Sequence, residues 1–214
     1  MKSRLLLCLP LLFAPLVGCR SAYYATMEKF GVHKRDLLVD EVEAGREEQA
    51  EAQEQFRSTY ELFRHLTGYE GGELEDVYED LKDALEDCED DAEAVSDRID
   101  DIEEVAHDLF TEWSDEIEQI QTDSLREAST EMRADTRKRY KALVAAMREA
   151  EQRMQPVLVA FRDHVLFLKH NLNARAIAAL SDVVLEIEGD VDALIQEMER
   201  AIREADDFVR SMEG

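Results

Sequence analysis

The sequence predicts an all-α protein, an elongated antiparallel helical bundle or coiled coil of about four long helices. Three observations carry that prediction. Ala, Glu, Leu, Arg and Asp dominate, with only eight glycines and three prolines in 214 residues and no run of alternating β-branched residues. Apolar residues recur at alternating spacings of three and four over long stretches. The clearest turn signal, Thr67-Gly68-Tyr69-Glu70-Gly71-Gly72, separates two such stretches.

The first helix is expected from about Ala22 to Leu66, ending at Thr67-Gly68. A second starts near Glu73, with acids in its first turn, where the helix dipole favours them. Its seam runs Leu74, Val77, Leu81, Leu85, Cys88, Ala92, Val95, Ile99, Ile102, Ala106, Leu109, Trp113, Ile117 and Ile120. That is a near-continuous heptad pattern with two four-residue offsets, long enough for a helix of ~70 Å. Thr122-Asp123-Ser124 supplies capping residues for a third helix. Its seam is Leu125, Ala128, Met132, Thr136, Tyr140, Leu143, Met147, Ala150, Met154, Val157, Phe161, Val165, Leu168 and Leu172. Pro156 lies within it, so a kink is expected one turn earlier. Asn171-Leu172-Asn173 is a weaker break before a fourth helix carrying Ile177, Leu180, Val184, Ile187, Val191, Leu194, Met198, Ile202, Ala205, Phe208 and Met212.

Charge supports the folding back. Residues 73–118 hold 22 acids against two bases, Lys82 and Arg98. Residues 126–153 hold eight bases: Arg126, Arg133, Arg137, Lys138, Arg139, Lys141, Arg148 and Arg153. A hairpin centred on residue 122 sets these bases beside residues 91–118, and a turn centred near residue 70 brings Lys29, Lys34 and Arg35 near residues 104–110. Single surface pairs contribute ~0–1 kcal/mol, but a patterned set selects partners and register.

Ahead of the helices stands a different kind of segment. Lys2 and Arg4 precede an almost wholly apolar run, Leu5 to Leu16, which is the layout of a secretion signal. The run is shorter than the ~20 residues a membrane span needs, and Pro10 and Pro15 interrupt it. Leu16-Val17-Gly18-Cys19 follows and resembles the lipobox of bacterial lipoproteins. That resemblance implies removal of residues 1–18 as a signal peptide and lipid modification of Cys19. Residues 19–214 are then one helical domain tethered to a membrane. Several acyl chains anchor stably where one would not. Arg20, rather than Asp, follows the cysteine. By resemblance to Gram-negative sorting, this implies the periplasmic face of the outer membrane.

The leader takes Lys2 and Arg4 and no acid. Residues 19–214 therefore carry 23 basic against 51 acidic residues, a formal charge of −28. Such acidity repels nucleic acid and anionic lipid, so no nucleic-acid partner is expected. It also counts against a second reading, a membrane-shaping module of the BAR-like kind, which needs a basic face. Cys88 is the only thiol left once Cys8 departs and Cys19 is acylated, and its seam position predicts an inert buried residue.

Catalytic chemistry finds no foothold: there is no Gly-rich phosphate loop, nucleophile elbow, HExxH or cysteine pair. No catalytic residue, cofactor or small-molecule substrate is expected. Glu104-Val105-Ala106-His107 matches the Glu-x-x-His element of di-iron four-helix bundles, but such sites need it twice and this chain offers it once. A metal-binding bundle is therefore a third reading, and no metal ligand is assigned. The run Glu86-Asp87-Cys88-Glu89-Asp90-Asp91 lacks the spacing of an EF-hand.

Two surfaces are expected to meet partners. Residues 73–90 hold ten acids and one base with no basic segment opposite. Glu75, Asp76, Asp80, Asp83, Asp87 and Asp90 are the contact residues expected to attract a cationic protein. The stretch from Val157 to Leu168 is apolar on nearly every side, fitting either burial or a contact with a partner or second subunit.

Two segments carry a wider resemblance: Tyr23-Tyr24-Ala25-Thr26-Met27-Glu28-Lys29-Phe30-Gly31-Val32-His33-Lys34-Arg35-Asp36, and Phe161-Arg162-Asp163-His164-Val165-Leu166-Phe167-Leu168-Lys169-His170-Asn171-Leu172-Asn173-Ala174-Arg175-Ala176. Together they resemble a family of proteobacterial helical lipoproteins filed as a domain of unknown function. The resemblance implies a Gram-negative envelope and no particular activity. The expected function is therefore a lipid-anchored periplasmic scaffold or adaptor.

Overall fold

The computed structural model describes residues 33–66, 74–171 and 174–213. The expected leader, Cys19, the expected helix start at Ala22 and the turn at 67–72 lie outside the described residues. Four helices and no strand occur among those described: α1 (Lys34–Leu66), α2 (Leu74–Gln119), α3 (Asp123–Lys169) and α4 (Ala174–Glu213). Each packs against its chain neighbours, and α4 closes the ring against α1. Pairings such as Lys34 with Glu112, Arg148 with Glu103, and Arg46 with Asp206 show that every adjacent pair is antiparallel. The result is an elongated four-helix bundle, with α2 and α3 each ~70 Å long.

α1 starts at His33, whose carbonyl accepts from the N–H groups of Asp36 (2.9 Å) and Leu37 (3.1 Å). The Asp36 carboxylate accepts from the His33 N–H at 3.3 Å, so the helix opens on a capped first turn. Its buried positions are Leu38, Val42, Gly45, Gln49, Ala52, Phe56, Thr59, Tyr60 and Phe63. At Gly45 the helices approach closely: a Cβ there would lie 2.8 Å from Cδ1 of Ile102 and 3.0 Å from Cε of Met147. A side chain there would require the ends of Ile102 and Met147 to shift.

The α2 seam is buried from Leu81 to Leu109 at every expected position, with Phe110 added. Between α2 and α3 the chain turns within Ile120–Thr122, and Thr122 takes the N-cap position. Arg126 donates through Nη1 to the Ile120 carbonyl at 3.0 Å, placing a cation on the negative end of α2. α3 runs on through Pro156 without a break in the helix, and Pro156 and Gln152 both lie on its exposed face. α3 and α4 run antiparallel on either side of the weaker break at 171–173, of which residues 172 and 173 lie outside the described residues.

The α3 seam departs from expectation at its start. Leu125 and Met132 are 61% and 63% exposed, and Ala128 is exposed as well. Among the described residues, α1 begins at residue 34, beside Glu112, and α4 ends at residue 213, while α2 and α3 continue past both as a two-helix hairpin. A seam residue is buried only where a third or fourth helix reaches its level. On α4 the buried residue is Ala201, and Ile202 beside it is only half-buried.

Candidate functional site

The reversal that starts α2 sets residues 75–90 at the end of the bundle remote from the start of α1. The seam residues Leu81, Leu85 and Cys88 face inward, which turns the intervening acids outward. Glu75, Asp76, Asp80, Asp83, Asp87 and Asp90 are all exposed. Among the described residues, Asp83 alone of these six forms an ion pair, with Lys82 at 3.5 Å, and Lys82 also meets Glu79 at 3.4 Å. Glu89, on the flank, accepts from the Arg162 guanidinium of α3. The six carboxylates thus share one α2 face, with Lys82 beside them and Arg162 on the flank.

Asp91 shows how dense the negative charge is. Burial lifts its carboxyl above the usual range, and the neighbouring carboxylates of Asp87, Glu51, Glu48 and Asp90 lift it further. A cation arriving there meets charge contributed by both α1 and α2.

Beneath this face lies a packed core. Phe161 stacks on Phe63 at 5.0 Å between ring centroids and meets Phe56 at 6.3 Å. His164 is buried beside Phe63, 5.4 Å between ring centroids. Burial pulls its pKa below 6.5, against the opposing pull of Asp163 and the Ala160 carbonyl. The Cys88 thiol is buried and donates to Oγ1 of Thr59 at 3.2 Å, and burial raises its pKa to about 12. A thiol held in that state is a poor nucleophile.

The apolar stretch from 157 to 168 divides between the two readings. Val157, Leu158, Phe161, Val165 and Leu168 are buried, while Val159, Leu166 and Phe167 remain exposed on the outer face of α3. Glu104 and His107 are both on the outer surface, flanking the buried Ala106, so the single Glu-x-x-His element points away from the bundle interior. Among the described residues, no three His, Cys, Asp or Glu side chains converge to hold a metal ion.

Of the expected charge pairing between α2 and α3, Arg148 joins Asp100 and Glu103 (2.6 Å) of α2 and also meets Glu151 (3.1 Å) of its own helix. Nearer the hairpin tip, Arg133 donates to the Phe110 carbonyl at 3.1 Å and Arg137 lies over the Phe110 ring. Lys34 meets Glu112 at 3.0 Å, a little beyond the expected range of residues 104–110.

Two buried polar residues carried no signal in the apolar periodicity. Gln49 is fully buried with neither amide atom hydrogen-bonded within the protein, and Thr59 accepts from the Cys88 thiol. A glutamine on a seam reads as a gap in the pattern until its neighbours are known.

The family model described as "protein of unknown function (DUF2959)" matches residues 23–212. The chain belongs to this family. As a DUF2959 member it shares a domain that begins at Tyr23, ten residues before the first described residue, and ends within the last turn of α4. No curated protein matches the chain. Among the described residues, no helix of this DUF2959 chain is long and apolar enough to cross a membrane.

Proposed function

We propose that this protein is a lipid-anchored helical scaffold or adaptor of the bacterial cell envelope, held by Cys19 at the periplasmic face of the outer membrane and without catalytic activity. The leader and the Leu16-Val17-Gly18-Cys19 motif support the anchor, and the resemblance to proteobacterial helical lipoproteins supports the compartment. One observation carries the adaptor role: the exposed carboxylates of α2 lie at the end of the bundle opposite the entry of the chain. α1 spans the distance between them, ~50 Å at 1.5 Å per residue over its 33 residues. An anchor upstream of α1 therefore presents the acidic face away from the membrane. A cationic protein partner is attracted there, and its approach is accelerated by the same field.

Crosslinking in cells from residue 76 or 80, followed by identification of the captured protein, tests this role. Reversing Glu75, Asp76, Asp80, Asp83, Asp87 and Asp90 to Lys should weaken capture while helical circular dichroism is retained. Raised salt should weaken it too, because exposed charges are screened over ~8 Å at physiological ionic strength. Undiminished capture by the reversed protein at every salt concentration rules out the acidic face as the contact. The anchor is tested separately: fatty-acid labelling should mark the protein and be lost in Cys19→Ala.

A further inference from the structure

We infer that two copies of this chain pair antiparallel through the outer face of α3, about a two-fold axis at Gln152. The contact lies on α3 rather than on the acidic α2 face, and so goes beyond the adaptor reading.

α3 carries two stripes. One is the buried seam from Leu143 to Leu168. On the opposite side, Ala145, Gln152, Pro156, Val159 and Leu166 follow at helical spacing, and all five are exposed, Val159 and Leu166 by half. The charged residues between them, Arg148 and Glu149, are engaged within the bundle, Arg148 by Asp100 and Glu103 of α2 and Glu149 by Arg200 of α4. In a chain of which 36% is charged, an outer helix face left uncharged for ~21 Å, from Ala145 to Val159, has the character of a helix contact. Lys138 and Lys141 continue the stripe at one end and Asp163 stands at the other, all exposed. None of these three forms an ion pair among the described residues.

Charge chooses a second copy as the occupant and fixes its direction. A two-fold axis at Gln152 sets residue 152 − k of one copy beside 152 + k of the other. Lys141 then faces Asp163, Ala145 faces Val159, and Lys138 comes level with Leu166. Glu89 of α2, which meets Arg162, adds negative charge beside Asp163. A parallel pair would instead set lysine on lysine and aspartate on aspartate, which repel. The axis itself carries hydrogen-bonding capacity. Pro156 has no N–H, so the Gln152 carbonyl lacks its helical donor on an exposed face, and the Gln152 amide makes no hydrogen bond among the described residues. The symmetry brings each amide to the other copy's carbonyl. Such an isologous contact is made twice and closes at two copies. A face ~42 Å long and one helix, ~10 Å, wide buries ~800 Å² over both copies, the scale of a weak, reversible pair. Its two α1 starts lie at opposite ends, so copies standing upright on one membrane stay single, and pairing is for chains on facing surfaces or free of the membrane.

Gln152→Cys tests the axis. A short bismaleimide should join this position to itself in the second copy, with the unsubstituted chain as the blank and Cys88 buried and unreactive. Ala145→Cys chains should not be joined to one another, since the two positions lie ~21 Å apart along the helices. Mixed with Val159→Cys chains, they should be. Sedimentation of the full chain over a range of concentrations should show a monomer–dimer equilibrium, weakened severalfold by Val159→Lys. Lys141→Glu should weaken it too, and Lys141→Glu with Asp163→Lys should restore it, because each pair is again opposite in sign. All these positions are exposed, so helical circular dichroism should be unchanged. A monomer at every concentration, Ala145→Cys joined to itself as efficiently as Gln152→Cys, dimers indifferent to Val159→Lys, or a charge swap that restores nothing overturns the inference. Capture of a cationic partner by α2 bears on none of these readouts.

Discussion

Replacing Gln49 by Met should make the protein more stable. The side chain is completely buried on the α1 seam, between Gly45 and Ala52, and neither its Nε2 nor its Oε1 has a hydrogen-bond partner within the protein. A buried polar group without a partner costs ~1–3 kcal/mol in protein substitution series. Methionine has similar volume and an unbranched chain, so it fills the same space without that penalty. The expected gain is ~1–3 kcal/mol. At ~2–4 °C per kcal/mol for a chain of this size, the rise in Tm is about 2–12 °C. Gln53 supplies the control, one turn along the same helix. Its Nε2 donates to the Ile195 carbonyl of α4 at 3.2 Å, so Gln53→Met removes a bond and should cost ~0.5–1.5 kcal/mol. Thermal and urea unfolding of both variants, with unchanged urea m-values, makes the comparison. A loss of stability in Gln49→Met comparable to that in Gln53→Met would refute the reasoning. It would show that the Gln49 amide is satisfied and holds the helices in register.

His164, buried with its pKa held below 6.5, is neutral in the folded state; its contribution is complete above 6.5 and is lost as pH falls through the lowered value. His164→Leu should therefore flatten the fall in stability below about pH 6.5, and an unchanged slope in urea unfolding across that range counts against the burial argument. Asp91 titrates in the opposite sense: its raised pKa means stability is greatest below 3.8 and declines as pH rises through the folded value. Asp91→Asn should stabilise at pH 7, with ~0.2–0.5 kcal/mol coming from relief of the Asp87 i,i+4 repulsion, and a loss in thermal unfolding would contradict it. Cys88, with its thiol raised to about 12 and bonded to Thr59, should resist maleimide until the protein unfolds, and rapid native labelling would reverse that assignment.

Where heptad periodicity was unbroken, the sequence was enough to read the fold. On α2 every expected seam position from Leu81 to Leu109 is buried, because a long apolar stripe at that spacing has only one face to bury. The exposure of Glu75 and Asp76 follows from the same geometry. What a seam cannot report is how many helices reach each level. Leu125 and Met132 carry the same pattern as Met147, yet Met147 is fully buried and the other two are exposed. Register was legible to within a few residues: the pair Lys34–Glu112 has its midpoint at 73, three residues past the assumed turn centre, and antiparallel pairing doubles such an offset. Gly45 and Gln49 were illegible as core because neither is apolar. Only the closeness of Ile102 and Met147 explains the glycine. On the acidic face, the sequence placed the charge, while the pairing of Glu89 with Arg162 depended on a residue 73 positions away.

The antiparallel arrangement of α1 and α2 also governs how the bundle bears force. A pull between the N-terminal end of α1 and the carboxylates near the start of α2 acts along the helix axes. It slides α1 past α2 in shear, so interlocked contacts from Leu38 to Phe63 resist together. A pull on Leu66 and Leu74, which sit at one end, would instead peel the helices apart one turn at a time. The direction in which the chain presents its charged face is therefore also the direction in which it is hardest to open.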